Sequence, residues 1–350
     1  MSSSELTTNG GVLLRIALAL LPVLLFLLSL IILDTFKLVR RHRLVGALLA
    51  GAGAGLVSYI INSILINQLG WSLITYATTI SPLIEEAAKG IYLVWLLRTQ
   101  RAGFLIDAAI LGFGAGSGFA IVENLYYLQN LSDAPLFVWV IRGFGTAIMH
   151  GGATSLFAIV VWGLSPSGSA GALRAWLPGL LVAALVHAGF NRFLTHPVLA
   201  TVLVLVVLPI IMRVAYFIGE RRFRRWLGRG FDRDTELLAL IRDGDVRDTP
   251  LGRYLESLRD TFRPETVADL LCLLRLQAEL SIRAKGILLL REHGLRAAED
   301  PELAAKLAEV RWLENAVGRT GLLALRPVCR WQGADRWQRR FLHDETGPVR

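Results

Sequence analysis

Four short patterns place ionisable side chains inside apolar stretches of the chain. The first is Glu85-Glu86-Ala87-Ala88-Lys89, where Lys89 lies four residues from Glu85 and three from Glu86, so its ammonium reaches either carboxylate from one helical face. Two adjacent carboxylates and one lysine leave a negative charge uncompensated, and in a low dielectric that charge takes a proton or a cation. Such a pair is suited to general acid and base work; the competing reading is a self-neutralised structural cluster. The second pattern is Phe119-x-x-x-Glu123-Asn124. Glu123 has no Lys or Arg within a helical turn, so its partner must come from another segment. The third runs from Arg142 to His150, eight residues or about two turns. Arg142 there either pairs with Glu123, anchors a carbonyl, or snorkels to an interface. The fourth, His187-x-x-x-Asn191, sets an imidazole and an amide on one face, able to address one bound group. A single His in an apolar helix is usually a packing residue. Two His, three Glu and an Asn in four successive segments point instead to a common site.

The elements that must carry these residues are membrane spans. Apolar stretches of about 20 residues, the length that crosses the hydrocarbon layer, recur at 12–33, 44–66, 73–97, 103–128, 137–163, 175–194 and 198–218. The fold expected is therefore all-α, a polytopic bundle of about seven transmembrane helices. The first span lacks a basic leader and a small-residue cleavage motif and ends in Lys37, Arg40, Arg41 and Arg43, so it is expected to stay as an anchor. Alternate connections carry basic residues: this first cluster, then Arg98 and Arg101, then Arg174, then Arg221, Arg222, Arg224 and Arg225. The connections 67–72, 129–136 and 195–197 carry none. By the positive-inside rule the amino terminus lies outside and the carboxyl terminus in the cytoplasm, as expected for a bacterial cytoplasmic membrane protein. Counting from the span ends, the candidate residues fall between the midplane and the outer face, roughly 8 to 20 Å deep at about 1.5 Å per residue. Gly112, Gly114, Gly116 and Gly118 give the fourth span two overlapping faces for close helix approach, which would hold Glu123 against its neighbours. Asp107, Arg192 and Arg213 read as interface residues.

Taken together, the four patterns resemble the PrsW family of intramembrane proteases, relatives of the CAAX-prenyl-protease and bacteriocin-processing group. The resemblance covers about 70 to 220. It departs from the wider group in Glu123, where CAAX-type enzymes carry His, and in the additional His150. It implies an intramembrane endopeptidase that cleaves a membrane-anchored protein, for example a single-pass anti-sigma factor. The site residues implied are Glu85, Glu86, Glu123, His150, His187 and Asn191, supported by Lys89, Asn124 and Arg142. Two schemes are open. In one, Glu85 or Glu86 deprotonates a water while His187 and Asn191 stabilise the oxyanion. In the other, His150, His187 and a Glu, for instance Glu123, hold zinc and another Glu is the base. No H-E-x-x-H motif is present, and the sequence favours the metal-free scheme.

Composition bounds the remainder. The 350 residues are 54% hydrophobic and 19% charged, with a net charge of +9 and a mean hydropathy of +0.51, which excludes a water-soluble enzyme with a single core. Residues 1–219 hold 12 Lys/Arg and 7 Asp/Glu, against 25 and 21 in 220–350, so two domains are expected: a transmembrane protease-like domain over 1–219 and a helical cytoplasmic domain over 220–350. In the latter, helical spacing covers 234–244, 250–262, 265–293 and 301–318, with starts at Pro264 and Pro301 and a stop at Gly294. The basic run at 221–229 reads as a positive-inside flank, and no dense basic and aromatic patch suggests nucleic acid as a partner. Cys272 and Cys329 form no CxxC pair, which excludes a thiol-ligated metal site. The partners expected are the bilayer and a membrane-protein substrate. Two other classes fit buried Glu and His: a proton-coupled transporter or channel, against which no inverted repeat is evident, and a catalytically silent scaffold acting through the cytoplasmic helices.

Overall fold

The computed structural model describes residues 3–34, 36–99, 101–131, 133–165, 169–192, 196–243, 246–298, 300–325, 327 and 333–345, and every regular element among them is helical. Cys329 lies outside the described residues, as does position 195 of the connection at 195–197. In chain order the helices are α1 (Ser3–Leu33), α2 (Arg41–Leu69), α3 (Leu73–Ala77), α4 (Ile80–Arg98), α5 (Leu105–Asn130) and α6 (Leu136–Val140). A π-helical turn over Ile141–Ala147 leads into α7 (Ile148–Gly163), followed by α8 (Ser169–Arg192), α9 (Pro197–Arg242), α10 (Pro250–Ser257), α11 (Pro264–Glu292), α12 (Leu303–Ala324) and α13 (Gly333–Glu345). The chain forms two compact units, Met1–Gly219 and Glu220–Arg350.

Among the described residues, six segments are long and apolar enough to cross a membrane: Gly11–Leu33, Arg41–Leu69, Leu105–Asn130, Leu136–Gly163, Leu173–Arg192 and Pro197–Arg242. The seventh expected span, 73–97, differs. It breaks into α3 and α4 at Thr78 and Thr79, and α4 carries four charges. Pro82 explains the break: in an unbroken helix its nitrogen would face the carbonyl of Thr78, where it has no hydrogen to donate and its ring clashes. The helix therefore restarts, with Pro82 in the first turn of α4. The hydroxyls of Thr78 and Thr79 donate to the carbonyls of Ile74 (2.9 Å) and Thr75 (2.6 Å) at this break, and the Ile74 carbonyl also accepts from the Thr78 amide (3.1 Å). Ser72 caps the start of α3 by accepting from the Thr75 amide.

Helix α5 is the axis of the membrane unit, buried along most of its length. Its two glycine faces meet two different helices. A Cβ on Gly116 would stand 2.2 Å from the His150 carbonyl oxygen of α7, and one on Gly118 would stand 1.9 Å from the Leu48 carbonyl oxygen of α2. Only glycine permits these contacts, and they bring the backbones that carry His150 and Glu123 together. Asp107 is not an interface residue: it is buried and accepts from the amides of Gly103 (2.8 Å) and Phe104 (3.3 Å), capping the start of α5. Helix α1 also packs into the unit through Ala19, Val23 and Leu27.

In the second unit, α11 buries Leu270, Leu273, Leu274, Ala284 and Leu288. Pro264 opens it, and Gly294 follows its end in the left-handed region (φ 71°). The expected helix at 234–244 is the end of α9. Helix α12 begins two residues after Pro301 and contains a non-helical residue at Gly318 (φ 65°), where the spacing predicts its end. Helix α13 was not anticipated; it buries Trp337, Phe341 and Leu342 on one face.

Candidate active site

Four helices supply one polar cluster inside the membrane unit. From α4, the Lys89 ammonium pairs with Glu86 Oε1 at 2.5 Å and donates to His150 Nδ1 at 3.0 Å. An ammonium cannot accept, so Nδ1 carries the lone pair and Nε2 the hydrogen. His150 Nε2 then donates to Glu123 Oε2 at 3.0 Å, which also lies 3.2 Å from Arg142 Nη2. On the other side, His187 Nδ1 donates to Glu86 Oε1 at 3.0 Å, and the Thr154 hydroxyl donates to Glu86 Oε2 at 3.1 Å. The two imidazoles meet edge to face with centroids 4.7 Å apart, and Phe119 covers the Lys89 ammonium at 4.0 Å.

This geometry separates the two neighbouring glutamates. Glu86 is fully buried and both of its oxygens are engaged, by Lys89, His187 and Thr154. It balances the Lys89 charge and accepts from His187 Nδ1. Glu85 keeps some exposure (13% of its side chain), and Glu123 keeps more (28%). Glu85 and Glu123 are therefore the carboxylates of the cluster that keep some exposure.

Arg142 sits in the π-helical turn, a distortion that concentrates at functional sites. Its Nε donates to Asn124 Oδ1 at 2.8 Å, and its guanidinium lies 3.8 Å from the Tyr127 ring centre. Asn124 in turn donates to the Ala19 carbonyl of α1 at 2.7 Å. Arg142 thus pairs with Glu123 inside the protein rather than snorkelling to an interface. Asn191 does not join the cluster. Its amide donates to the Ala77 carbonyl at 2.8 Å, at the end of α3.

Four residues of the site carried no role in the sequence reading: Thr154, Asn62, Tyr76 and Ser81. The last three surround Glu85. The Ser81 hydroxyl donates to Glu85 Oε1 at 2.6 Å, the Asn62 amide reaches the same oxygen at 3.3 Å, and the Tyr76 hydroxyl donates to Asn62 Oδ1 at 2.8 Å. The available signal was that Asn62 and Thr154 are polar side chains within apolar helices, where an unpaired polar group is costly.

A divalent ion fits part of this arrangement directly. Glu85, His150 and His187 each offer a ligand atom within 4.8 Å of the others. His187 Nε2 and Glu85 Oε2 face each other at 3.8 Å, and with His187 Nδ1 donating to Glu86 the Nε2 lone pair is available to a cation. This is the orientation that a histidine ligand usually receives from a carboxylate behind it. In the arrangement above both ring nitrogens of His150 are engaged, by Lys89 and by Glu123, and Nε2 would face a cation only in the other neutral tautomer, with the hydrogen on Nδ1 and Lys89 no longer donating to it. The convergent set therefore contains Glu85 where the sequence reading named Glu123, which instead stands behind His150.

A family model described as PrsW family intramembrane metalloprotease matches residues 40–215, just over half of the chain. No curated protein and no solved structure matches it. The matched stretch contains every residue of the cluster just described, and its apolar helices make the protein an integral membrane protein. The chain belongs to the PrsW family of intramembrane proteases.

Proposed function

We propose that the protein hydrolyses a peptide bond in a membrane-anchored protein, of which a single-pass anti-sigma factor is the expected type, at the cluster of Glu85, Glu123, His150 and His187. The observation that carries this reading is the convergence of two buried histidines, from two helices, on three carboxylates from two others, with exposure among these five retained only at Glu85 and Glu123. Peptide hydrolysis needs a group that takes a proton from water and returns it to the leaving amine, and a group that stabilises the developing oxyanion.

The three-donor set and the family's description favour the metal scheme over the metal-free one. Glu85, His150 and His187 would hold zinc, which supplies a Lewis acid and an acidified water. Glu123 would take a proton from water and return it to the leaving amine, with Arg142 holding the carboxylate in place. Glu86 keeps the Nδ1 hydrogen of His187 fixed, and Lys89 balances Glu86. Asn191 is spent on Ala77 and takes no part in oxyanion stabilisation. The distribution of Lys and Arg between spans supports an amino terminus outside, the 220–350 unit in the cytoplasm and a site in the outer half of the bilayer.

The test is cleavage of a co-expressed single-pass membrane substrate by Glu85→Gln, Glu123→Gln and His187→Ala variants at matched protein levels. All three should stop cleavage. Normal cleavage by all three would end the proposal. Metal analysis of the purified protein, with cleavage measured before and after chelation, separates the two schemes: stoichiometric zinc and chelator sensitivity are expected, whereas full activity without metal would leave Glu85 as the base of a metal-free reaction.

A further inference from the structure

The surroundings of Glu85 carry an inference beyond the family reading. A carboxylate accepts hydrogen bonds and donates none when ionised, so the group of Asn62 that faces Glu85 must be its amide nitrogen. Its carbonyl oxygen then faces Tyr76, whose hydroxyl must donate. Asn62 Nδ2 also lies 3.0 Å from Ser81 Oγ, which accepts from it while donating to Glu85 Oε1. The donor order is thus fixed from end to end: Tyr76 to Asn62, Asn62 to Ser81 and Glu85, Ser81 to Glu85. Both donors converge on Oε1, and Oε2 is the oxygen left facing His187 at 3.8 Å. The three residues come from three successive helices, α2, α3 and α4, and Tyr76 is buried although its helix has only five residues and is otherwise largely exposed.

We propose that Asn62 and Tyr76 are positioning residues that select Oε2 of Glu85 as its reacting oxygen. The assignment rests on the reading of Glu85 as a reacting carboxylate. It gives the break between α3 and α4 a function: α3 turns away from the axis of α4 at Thr78 and Thr79, and its Tyr76 lies beside Asn62 of α2. Neither residue touches the reacting atoms. Without the pair, the Glu85 side chain would keep only Ser81 and could rotate either oxygen toward His187.

The experiment uses the full-length protein in lipid nanodiscs, with zinc affinity read by competition against a chelator and with kcat and KM read separately for cleavage. Asn62→Leu should weaken zinc binding and lower kcat by about tenfold or more, the range found for residues that orient a ligand, with KM unchanged. Tyr76→Phe removes a single oxygen and should act in the same direction by a smaller factor. Asn62→Asp keeps the size of the side chain but cannot donate to Glu85, so it should lower kcat at least as far as Asn62→Leu; a packing role would tolerate it. Asn67→Ala, on the exposed side of the same helix, is the control. Parental zinc affinity and kcat in Asn62→Leu and Tyr76→Phe, alongside loss of both in Glu85→Gln, would overturn the positioning role and leave the catalytic reading standing. Intact cleavage in Glu85→Gln would remove the catalytic reading itself. The kcat comparison reads the same way whether or not the protein takes up zinc.

Discussion

The protein buries two lysines, each against a carboxylate, and the two pairs do different things. In the membrane unit Lys89 meets Glu86, and the pair continues through His150 to Glu123 and through His187 to Glu85. In the second unit Lys285 meets Asp234 and lies 5.4 Å from the ring centre of Trp226. Both ammonium groups are almost fully withdrawn from water. Burial of charge therefore does not mark a reacting site by itself. What distinguishes the Lys89 pair is its connection to histidines, and through them to carboxylates that keep some exposure.

Replacing both members of each pair tests this difference most severely. Glu86→Gln with Lys89→Met removes the charges together, so the protein should still accumulate, but His187 loses the carboxylate that fixes its ring. Cleavage should fall by about 100-fold or more, the upper range for loss of such an orienting group, as measured on a co-expressed substrate. Recovery of normal cleavage in the double variant would make this pair no more than a structural one.

The sequence exposed the charged members of the site because charge in an apolar helix stands out. Glu85, Glu86, Lys89, Glu123, Arg142, His150 and His187 are all legible in this way. Their division of labour is not, since it depends on neighbours brought from elsewhere: Thr154 and His187 occupy Glu86, while Asn62 and Ser81 occupy one oxygen of Glu85. Asn191 shows the limit of spacing arguments. It shares a helical face with His187, yet its amide goes to the Ala77 carbonyl at the end of α3. Most of the fold followed from apolar run lengths, and the glycine faces of α5 correctly indicated close approach. The π-helical turn and α13 had no comparable pattern; α13 buries only a narrow stripe in a strongly charged segment.

In the second unit the single variant Lys285→Met leaves Asp234 buried and unpaired. It should cost about 3–5 kcal/mol, read as faster proteolysis of the 220–350 segment in the folded full-length protein, while cleavage of substrate continues. A loss of cleavage as large as that from the Glu86 and Lys89 pair would erase the contrast.

Gly116→Ala probes the packing beneath the first pair. The added carbon would meet the His150 carbonyl oxygen at 2.2 Å, so α5 and α7 must separate. The expected cost is about 1–3 kcal/mol from overpacking, seen as lower thermal stability in detergent together with reduced cleavage, since Glu123 and His150 stand on the two helices pushed apart. A loss of stability with unchanged cleavage would show that their contact tolerates the shift.

The smallest effect is expected from Lys285→Met combined with Asp234→Leu. Removing both charges withdraws the desolvation cost and the attraction together, and such replacements are commonly neutral or stabilising. The unit around them is apolar enough to accept the change: Phe223, Leu227, Leu288 and Trp337 are buried within it. Proteolytic resistance of the 220–350 segment should therefore return to within about 1 kcal/mol of the parent, and cleavage should stay at the parental level. The same operation performed on Glu86 and Lys89 should lower cleavage sharply, because there the charges contact the two histidines. Should the Lys285 and Asp234 double variant lose cleavage while resisting proteolysis normally, the second pair would also have to be counted as connected to the site.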